Sequence, residues 1–192
     1  MVLVGSIAAI LLQLSFLTLQ RNLVWKDSLS LWRDALQKNP HSTRAMDNLG
    51  LAWMRQGRYR TAERFFGLAI DAGDDNANIR NNLGIVQGLQ GRTLQAERSF
   101  HAALALDGNH TGAMNNLGYL YTQKKDYHKA LNILLNARRS TPDDPAVISN
   151  LGIACFKIGE PDRGCLLIKE GVHLNPDNPR SLAVEKQFCG NP

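Results

Sequence analysis

The chain has 192 residues, of which 44% are hydrophobic and 20% are charged, a composition typical of a folded protein. Its formal net charge is +5, and it contains no long run of like charges. We therefore expect no nucleic-acid partner. The three cysteines form no Cys-x-x-Cys pair. Their number and spacing predict no zinc site and no disulfide framework, although whether Cys155 and Cys165 pair stays open.

Residues 2–20 are free of charged side chains. As a helix, a stretch of this length would be about 30 Å long, close to the hydrocarbon thickness of a bilayer. Nothing basic precedes it, and no small-x-small sequence follows it, so it does not resemble a cleaved signal peptide. We predict a transmembrane anchor helix over residues 1–21. The alternative is an amphipathic or buried helix that caps the structure behind it.

The tripeptide Asn-Leu-Gly recurs at equal intervals along the chain, which is typical of an array of helical repeats. Its copies begin at Asn48, Asn82, Asn116 and Asn150, and the interval from one asparagine to the next is the repeat period. They define four complete units, at residues 43–76, 77–110, 111–144 and 145–178. We predict a juxtamembrane half repeat over residues 22–42 and a C-terminal capping helix and tail over residues 179–192.

Each unit is predicted to contain two helices joined by a short turn, with small and large side chains at fixed positions of the second helix. The small residue is Ala62, Ala96, Ala130 or Gly164, and the large one is Phe66, Phe100, Leu134 or Ile168. Small residues let two helices approach closely while large ones fill the next layer. Because glycine in a helix costs about 1 kcal/mol relative to alanine, Gly164 and Gly171 predict that the last unit is the least stable.

On these residues, from about Asp27 to the C-terminus, the chain resembles the tetratricopeptide repeat family. The resemblance implies an all-α, right-handed α-solenoid of helix-turn-helix repeats, whose first helices line a concave groove. One departure concerns the aromatic residue expected three positions after the glycine. It is present as Trp53 and Tyr121, but Gln87 and Cys155 replace it in the other two units.

The resemblance places the four repeated asparagines in a row along the groove. A side-chain amide complements a peptide group, so such a ladder can hold an extended chain by its backbone. The arrangement is similar to that in the repeat domain of protein O-linked N-acetylglucosamine transferases. The predicted peptide-binding residues are Asn48, Asn82, Asn116, Asn150, Asp47, Asn81, Asn115, Leu51, Ile85 and Tyr119. The alternative is that asparagine belongs to the repeat consensus and only stabilises the repeat locally.

No enzymatic activity, cofactor or metal is predicted for this chain. It contains no glycine-rich phosphate loop, no nucleophile motif and no paired histidines. The basic positions with which some family members bind acidic C-terminal tails hold Asp47, Gly112 and Asn116 instead, so such tails are not expected ligands. The sequence therefore predicts a membrane-tethered scaffold or adaptor that binds a protein or peptide partner.

A second resemblance concerns residues 21–25, 31–32 and 44–50. They are similar to the junction between the last membrane span and the repeats in multi-span glycosyltransferase-type membrane proteins. That resemblance implies an extracytoplasmic or lumenal repeat domain. Basic residues follow the apolar stretch and none precede it, which favours the cytoplasm, so the side stays open. The alternative function is a substrate-recruiting arm of such a transferase, whose catalytic part is not in this chain.

Overall fold

A computed structural model describes residues 27–190, and this part of the protein is helical throughout, without a strand. Its ten helices are α1 (Ser28–Lys38), α2 (Thr43–Arg55), α3 (Tyr59–Asp71), α4 (Ala77–Leu89), α5 (Thr93–Leu106), α6 (Thr111–Gln123), α7 (Tyr127–Ser140), α8 (Pro145–Lys157), α9 (Pro161–Leu174) and α10 (Pro179–Cys189). The prediction of an all-α helical-repeat fold is confirmed. The anchor predicted for residues 1–21 lies outside the described residues. None of the described helices combines the length and apolarity needed to cross a membrane.

The helices form two compact units, of which the first ends at Asp75 and the second begins at Asn76. In the first unit, α1 packs on α2 and α2 packs on α3. The core contains Leu29, Leu49 and Ala52, with partly buried Trp32 and Trp53 packed against them. Trp32 lies one repeat period before Phe66 and so occupies the large-residue position of the half repeat.

In the second unit, the helix pairs α4–α5, α6–α7 and α8–α9 each form one repeat. The first helices of neighbouring repeats also contact each other, α4 with α6 and α6 with α8. Helix α10 packs on both α8 and α9, as the first helix of a further repeat would. Its first residue, Pro179, lies one repeat period after Pro145, the first residue of α8. The repeat pattern thus continues into α10.

The glycine of each Asn-Leu-Gly makes room for the large residue of the second helix. A Cβ atom on Gly50 would lie 2.5 Å from the Phe66 ring, and one on Gly84 would lie 2.6 Å from the Phe100 ring. Gly118 meets Leu134 in the same way. A Cβ atom on Gly152 would lie 2.8 Å from the Ile168 side chain but even closer, at 2.7 Å, to the Gly164 carbonyl oxygen. The four large residues are buried. The fixed spacing of glycine and large residue therefore reflects direct packing of the two helices of a repeat.

Positive backbone φ angles occur in the turn between the two helices of a repeat. Gly57, Gly91 and Gly159 have φ values of +72°, +74° and +94°, as expected for residues that end a helix. The corresponding residue of the third full repeat is Lys125, which has a φ of +65°. A residue with a Cβ atom is strained in this conformation by about 1 kcal/mol.

Helices α8 and α9 approach each other through their backbones. A Cβ atom on Gly164 would lie 2.8 Å from both the Gly152 carbonyl oxygen and the Phe156 nitrogen. A Cβ atom on Gly171 would collide with the Ser149 hydroxyl. The comparison with alanine that predicted a weak last unit therefore does not apply here, because alanine does not fit.

The cysteines differ from the sequence prediction. Cys165 of α9 forms a disulfide with Cys189 of α10, and their Cα atoms are 5.3 Å apart. Cys155 is fully buried and unpaired. The sequence predicted no disulfide framework and left open whether Cys155 and Cys165 pair. They do not, because the partner of Cys165 is Cys189, which only the packing of α10 against α9 brings close. Burial raises the pKa of the Cys155 thiol, which keeps it in the unreactive protonated form.

Candidate functional site

A cavity of about 480 Å³ lies in the second unit and is lined mainly by α4, α6, α8 and α10. Volumes of this size are common for ligand sites in proteins. The cavity lies on the side formed by the first helices of successive repeats. The helices that carry the repeated asparagines therefore form its walls.

Side-chain amides in this cavity are paired between neighbouring repeats. Asn116 donates from Nδ2 to Oδ1 of Asn81 at 2.9 Å, and Asn150 donates in the same way to Asn115 at 2.8 Å. Within residues 27–190, these are the only side-chain hydrogen bonds of Asn116 and Asn150. Each of the two donor amides therefore retains one N–H and its carbonyl oxygen. The pairing also fixes the orientation of both side chains.

The structure brings together only some of the predicted peptide-binding residues. Five of them line the cavity, namely Asn115, Asn116, Asn150, Ile85 and Tyr119. Asn82 is partly buried and does not line the cavity. Asn81 is buried and does not line it either, but its Oδ1 accepts the hydrogen bond of Asn116. Asn48, Asp47 and Leu51 belong to α2, in the first unit.

In the first unit, the repeated asparagine interacts within its own helix. Asn48 donates from Nδ2 to the carbonyl oxygen of Arg44 at 2.8 Å. The neighbouring Asp47 is half-buried, and its Oδ1 atom has no hydrogen-bond partner among the described residues. Burial raises the pKa of the Asp47 carboxyl, and the nearby charge of Asp74 raises it further. The hydrogen bond of Asn48 agrees with the alternative interpretation, in which the asparagine stabilises its own repeat locally.

Helix α10 contributes cavity residues that were not predicted. They are Arg180, Ser181 and Val184, together with the preceding Asn178. The guanidinium carbon of Arg180 lies 5.2 Å from the centre of the Tyr119 ring, within the range of a cation–π interaction. The repeat period provided a signal for this helix, because Val184 lies one period after Asn150.

The remaining walls of the cavity are largely apolar. Ile85 and Leu89 come from α4, Ile153 from α8 and Val184 from α10. Leu89 and Tyr119 are unusually exposed for such residues, at 54% and 41%. Across residues 27–190, no three His, Cys, Asp or Glu side chains come together as a metal site. The cavity combines oriented amides, apolar surface and one cation, a set suited to binding a polypeptide segment.

Comparison with known proteins supports the repeat assignment. Sequence profiles of the tetratricopeptide repeat family match residues 17–77 and 89–151. The first match includes the last residues of the apolar stretch at 2–20. The chain is 39% identical over 69 residues to the protein O-mannosyl-transferase Tmtc2 of Drosophila melanogaster. This alignment covers 36% of the chain but only 7% of that protein.

Three solved structures illustrate the similarity in fold. A chain of the APC/C hetero-tetramer Cut9–Hcn1 aligns with a TM-score of 0.74 at 18% identity, over 83% of this chain and 32% of that one. PilF of Pseudomonas aeruginosa aligns with a TM-score of 0.69 at 22% identity, over 76% and 67%. YrrB, described as a TPR protein with an unusual peptide-binding site, aligns with a TM-score of 0.64 at 20% identity, over 91% and 87%. At these identities the similarity concerns the fold.

Proposed function

This chain contains tetratricopeptide repeats, and from that premise we propose that its second unit binds an extended segment of a partner protein. The observation that carries the proposal is the pair of oriented amides, Asn116 and Asn150, beside apolar side chains in one cavity. Each amide offers a donor and an acceptor, which match the carbonyl and N–H of a peptide group. The chain acts as a scaffold or adaptor, and we assign it no catalytic step.

The amide pairs between repeats support this role. A flexible side chain loses rotamer entropy when it is fixed by a ligand, and that loss weakens binding. Asn116 and Asn150 are already oriented by Asn81 and Asn115, so less entropy is lost when a peptide binds. The proposed ladder therefore comprises two asparagines in the second unit. We propose that this pair holds a peptide backbone in a way similar to the asparagine ladder of O-linked N-acetylglucosamine transferases.

Two substitutions that break the same hydrogen bond test this function. N116A and N81A each break the bond of 2.9 Å, but only Asn116 lines the cavity. The probes are fluorescein-labelled nonapeptide pools of neutral residues, acetylated and amidated at their ends, and binding to the full chain is followed by anisotropy. We expect N116A to bind the pools about tenfold more weakly than N81A, because it removes a ligand contact as well as the bond.

The stability of both variants is measured by urea unfolding, which controls for damage to the fold. Similar unfolding midpoints with different peptide affinities support the direct contact. If N116A and N81A weaken binding equally, the asparagine serves only the packing of repeats, and the proposed groove is wrong. The same conclusion follows if the wild-type chain binds none of the pools.

A second candidate function is favoured by the 39% identity to protein O-mannosyl-transferase Tmtc2 over 69 residues. In this alternative, the repeats recruit protein substrates to a glycosyltransferase-type membrane system whose catalytic part is not in this chain. A photo-crosslinking amino acid in place of the exposed Tyr119 would capture occupants of the cavity in cells. We expect captured proteins to carry O-linked mannose and to be lost in N116A. Captured proteins without mannose would exclude this candidate and leave the scaffold role.

The membrane tether is proposed from residues 2–20, which lack charges. The full chain should resist extraction by alkaline carbonate, and a chain that starts at residue 27 should be released. The Cys165–Cys189 disulfide supports the extracytoplasmic or lumenal side, because such bonds persist in oxidising compartments. Protection of the repeats from protease added outside sealed microsomes would agree with the lumenal side. Digestion there would place them in the cytoplasm.

A further inference from the structure

We infer that the segment bound in this cavity carries an Asp or Glu side chain that pairs with Arg180. This inference rests on the proposed peptide binding and adds the chemical class of the ligand. Its starting point is the charge of the cavity. Among the residues that line it, Arg180 is the only charged one, so the site has a cation and no anion of its own.

The charge of Arg180 is available to a ligand. Arg180 takes part in none of the ion pairs within residues 27–190, and it is exposed. Its guanidinium carbon lies 5.2 Å from the centre of the Tyr119 ring, and no hydrogen bond of the guanidinium occurs within residues 27–190. The N–H groups at the edge of a guanidinium are the ones that bind a carboxylate, often through two parallel hydrogen bonds. The contact with Tyr119 is a cation–π interaction, which holds the cation near the ring without occupying its N–H donors with an acceptor.

The apolar walls make charge matching more important at this position. Ile153 and Val184 line the same cavity as Arg180. Beside apolar surface the effective dielectric constant is lower than in water, so attraction to a carboxylate and repulsion of a lysine are both stronger. A ligand with a neutral residue here would leave the exposed cation hydrated and would gain no ion pair. Charge complementarity of this kind selects among ligands.

The repeat register places the carboxylate at one end of the bound segment. The residues that correspond to Arg180 in the two preceding repeats are Ala146 and Gly112, which lie one and two repeat periods earlier. The cation is thus introduced only by α10, beyond Asn150. A segment whose backbone contacts Asn116 and Asn150 places its acidic side chain near α10 and its apolar residues near Ile85.

The inference is tested with the full chain and three further nonapeptide pools, acetylated and amidated so that a side chain provides the only carboxylate. One fixed position of each pool is Glu, Gln or Lys, and every other position is a random neutral residue. We expect the Glu pool to bind about two- to fivefold more tightly than the Gln pool, as is typical of an exposed ion pair, and the Lys pool to bind most weakly. R180Q should bring the ratio of Glu to Gln affinity close to one. R180K should keep only part of that ratio, because an ammonium group lacks the paired donors of a guanidinium. R180E should favour the Lys pool.

K186Q is the matched control, because Lys186 is an exposed cation on the same helix that does not line the cavity. Its preference for the Glu pool should equal that of the wild type. Equal binding of Glu and Gln pools by the wild type overturns the inference, as does an unchanged preference in R180Q or a lost one in K186Q. In those cases the proposed function survives if N116A still weakens binding of every pool. If no pool binds, both fail.

Discussion

Replacing Gly164 by alanine should destabilise the second unit, although alanine favours a helix. The added methyl group would lie 2.8 Å from the Gly152 carbonyl oxygen and 2.8 Å from the Phe156 nitrogen. Both are backbone atoms of α8, so no flexible side chain can move away. To relieve the contact, α8 and α9 must separate.

The size of the effect follows from two opposing contributions. Alanine instead of glycine inside a helix increases the free energy of unfolding by about 1 kcal/mol. Forcing an extra carbon into a packed interface costs about 1–3 kcal/mol, and rigid backbone on two sides favours the upper part of that range. We therefore expect G164A to lower the free energy of unfolding by about 1–2 kcal/mol.

Gly67 provides a matched control because it lies inside α3 and, apart from its chain neighbours and its own helix backbone, no heavy atom lies within 4 Å of an added Cβ. Only the helix preference acts there, so G67A should raise the free energy of unfolding by about 1 kcal/mol. Urea unfolding followed by circular dichroism shows whether each variant raises or lowers the free energy of unfolding. Amide exchange in α3 and α9 shows which helices are affected. A G164A chain that is stabilised as much as G67A would refute the close approach of α8 and α9.

Three further predictions concern other features of the fold. K125G should raise the free energy of unfolding by up to about 1 kcal/mol in urea, because glycine adopts the observed φ of +65° without strain. D47N should stabilise the first unit at neutral pH. Because the pKa of Asp47 is raised in the folded state, the wild-type chain loses stability as the pH rises through that raised pKa. The extra stability of D47N should therefore disappear as the pH falls below 3.8, the ordinary pKa of an aspartate. Reduction, or C165S with C189S, should speed amide exchange in α10 and remove about 3 kcal/mol of stabilisation, whereas C155A should leave the response to reductant unchanged.

The fold was accessible from the sequence because the repeat is encoded locally. Gly50 and Phe66 belong to one unit and contact each other directly, and the same spacing recurs in every repeat. Hydrophobic and small residues at fixed intervals therefore specify the helix pair. Even the departure at Gln87 is accommodated locally, because this buried amide accepts a hydrogen bond from Ser99 at 2.7 Å.

The candidate site was less predictable because it depends on contacts between repeats. The sequence indicated that Asn116 belongs to a groove, but not that Asn81 of the preceding repeat would hold its amide. Arg180 was missed because α10 keeps the period of the repeats but not their Leu-Gly, which Glu185 and Lys186 replace, so the sequence indicated only a capping helix. A capping helix is selected for its outer surface as well as its packing, so the repeat consensus does not identify its functional residues.

The contact between glycine and large residue has a consequence for how these repeats can diverge. In all four units the glycine is retained, while its partner is phenylalanine, phenylalanine, leucine or isoleucine. Even opposite the smaller partners, Leu134 and Ile168, an added Cβ would be too close. At Gly50, Gly84 and Gly118, a mutation that enlarges the glycine is therefore harmful unless the partner has already become smaller. At Gly152 the backbone carbonyl of Gly164 adds a second obstacle, at 2.7 Å. The order of substitutions is therefore constrained, and we expect the glycine and its large partner to change together rather than independently.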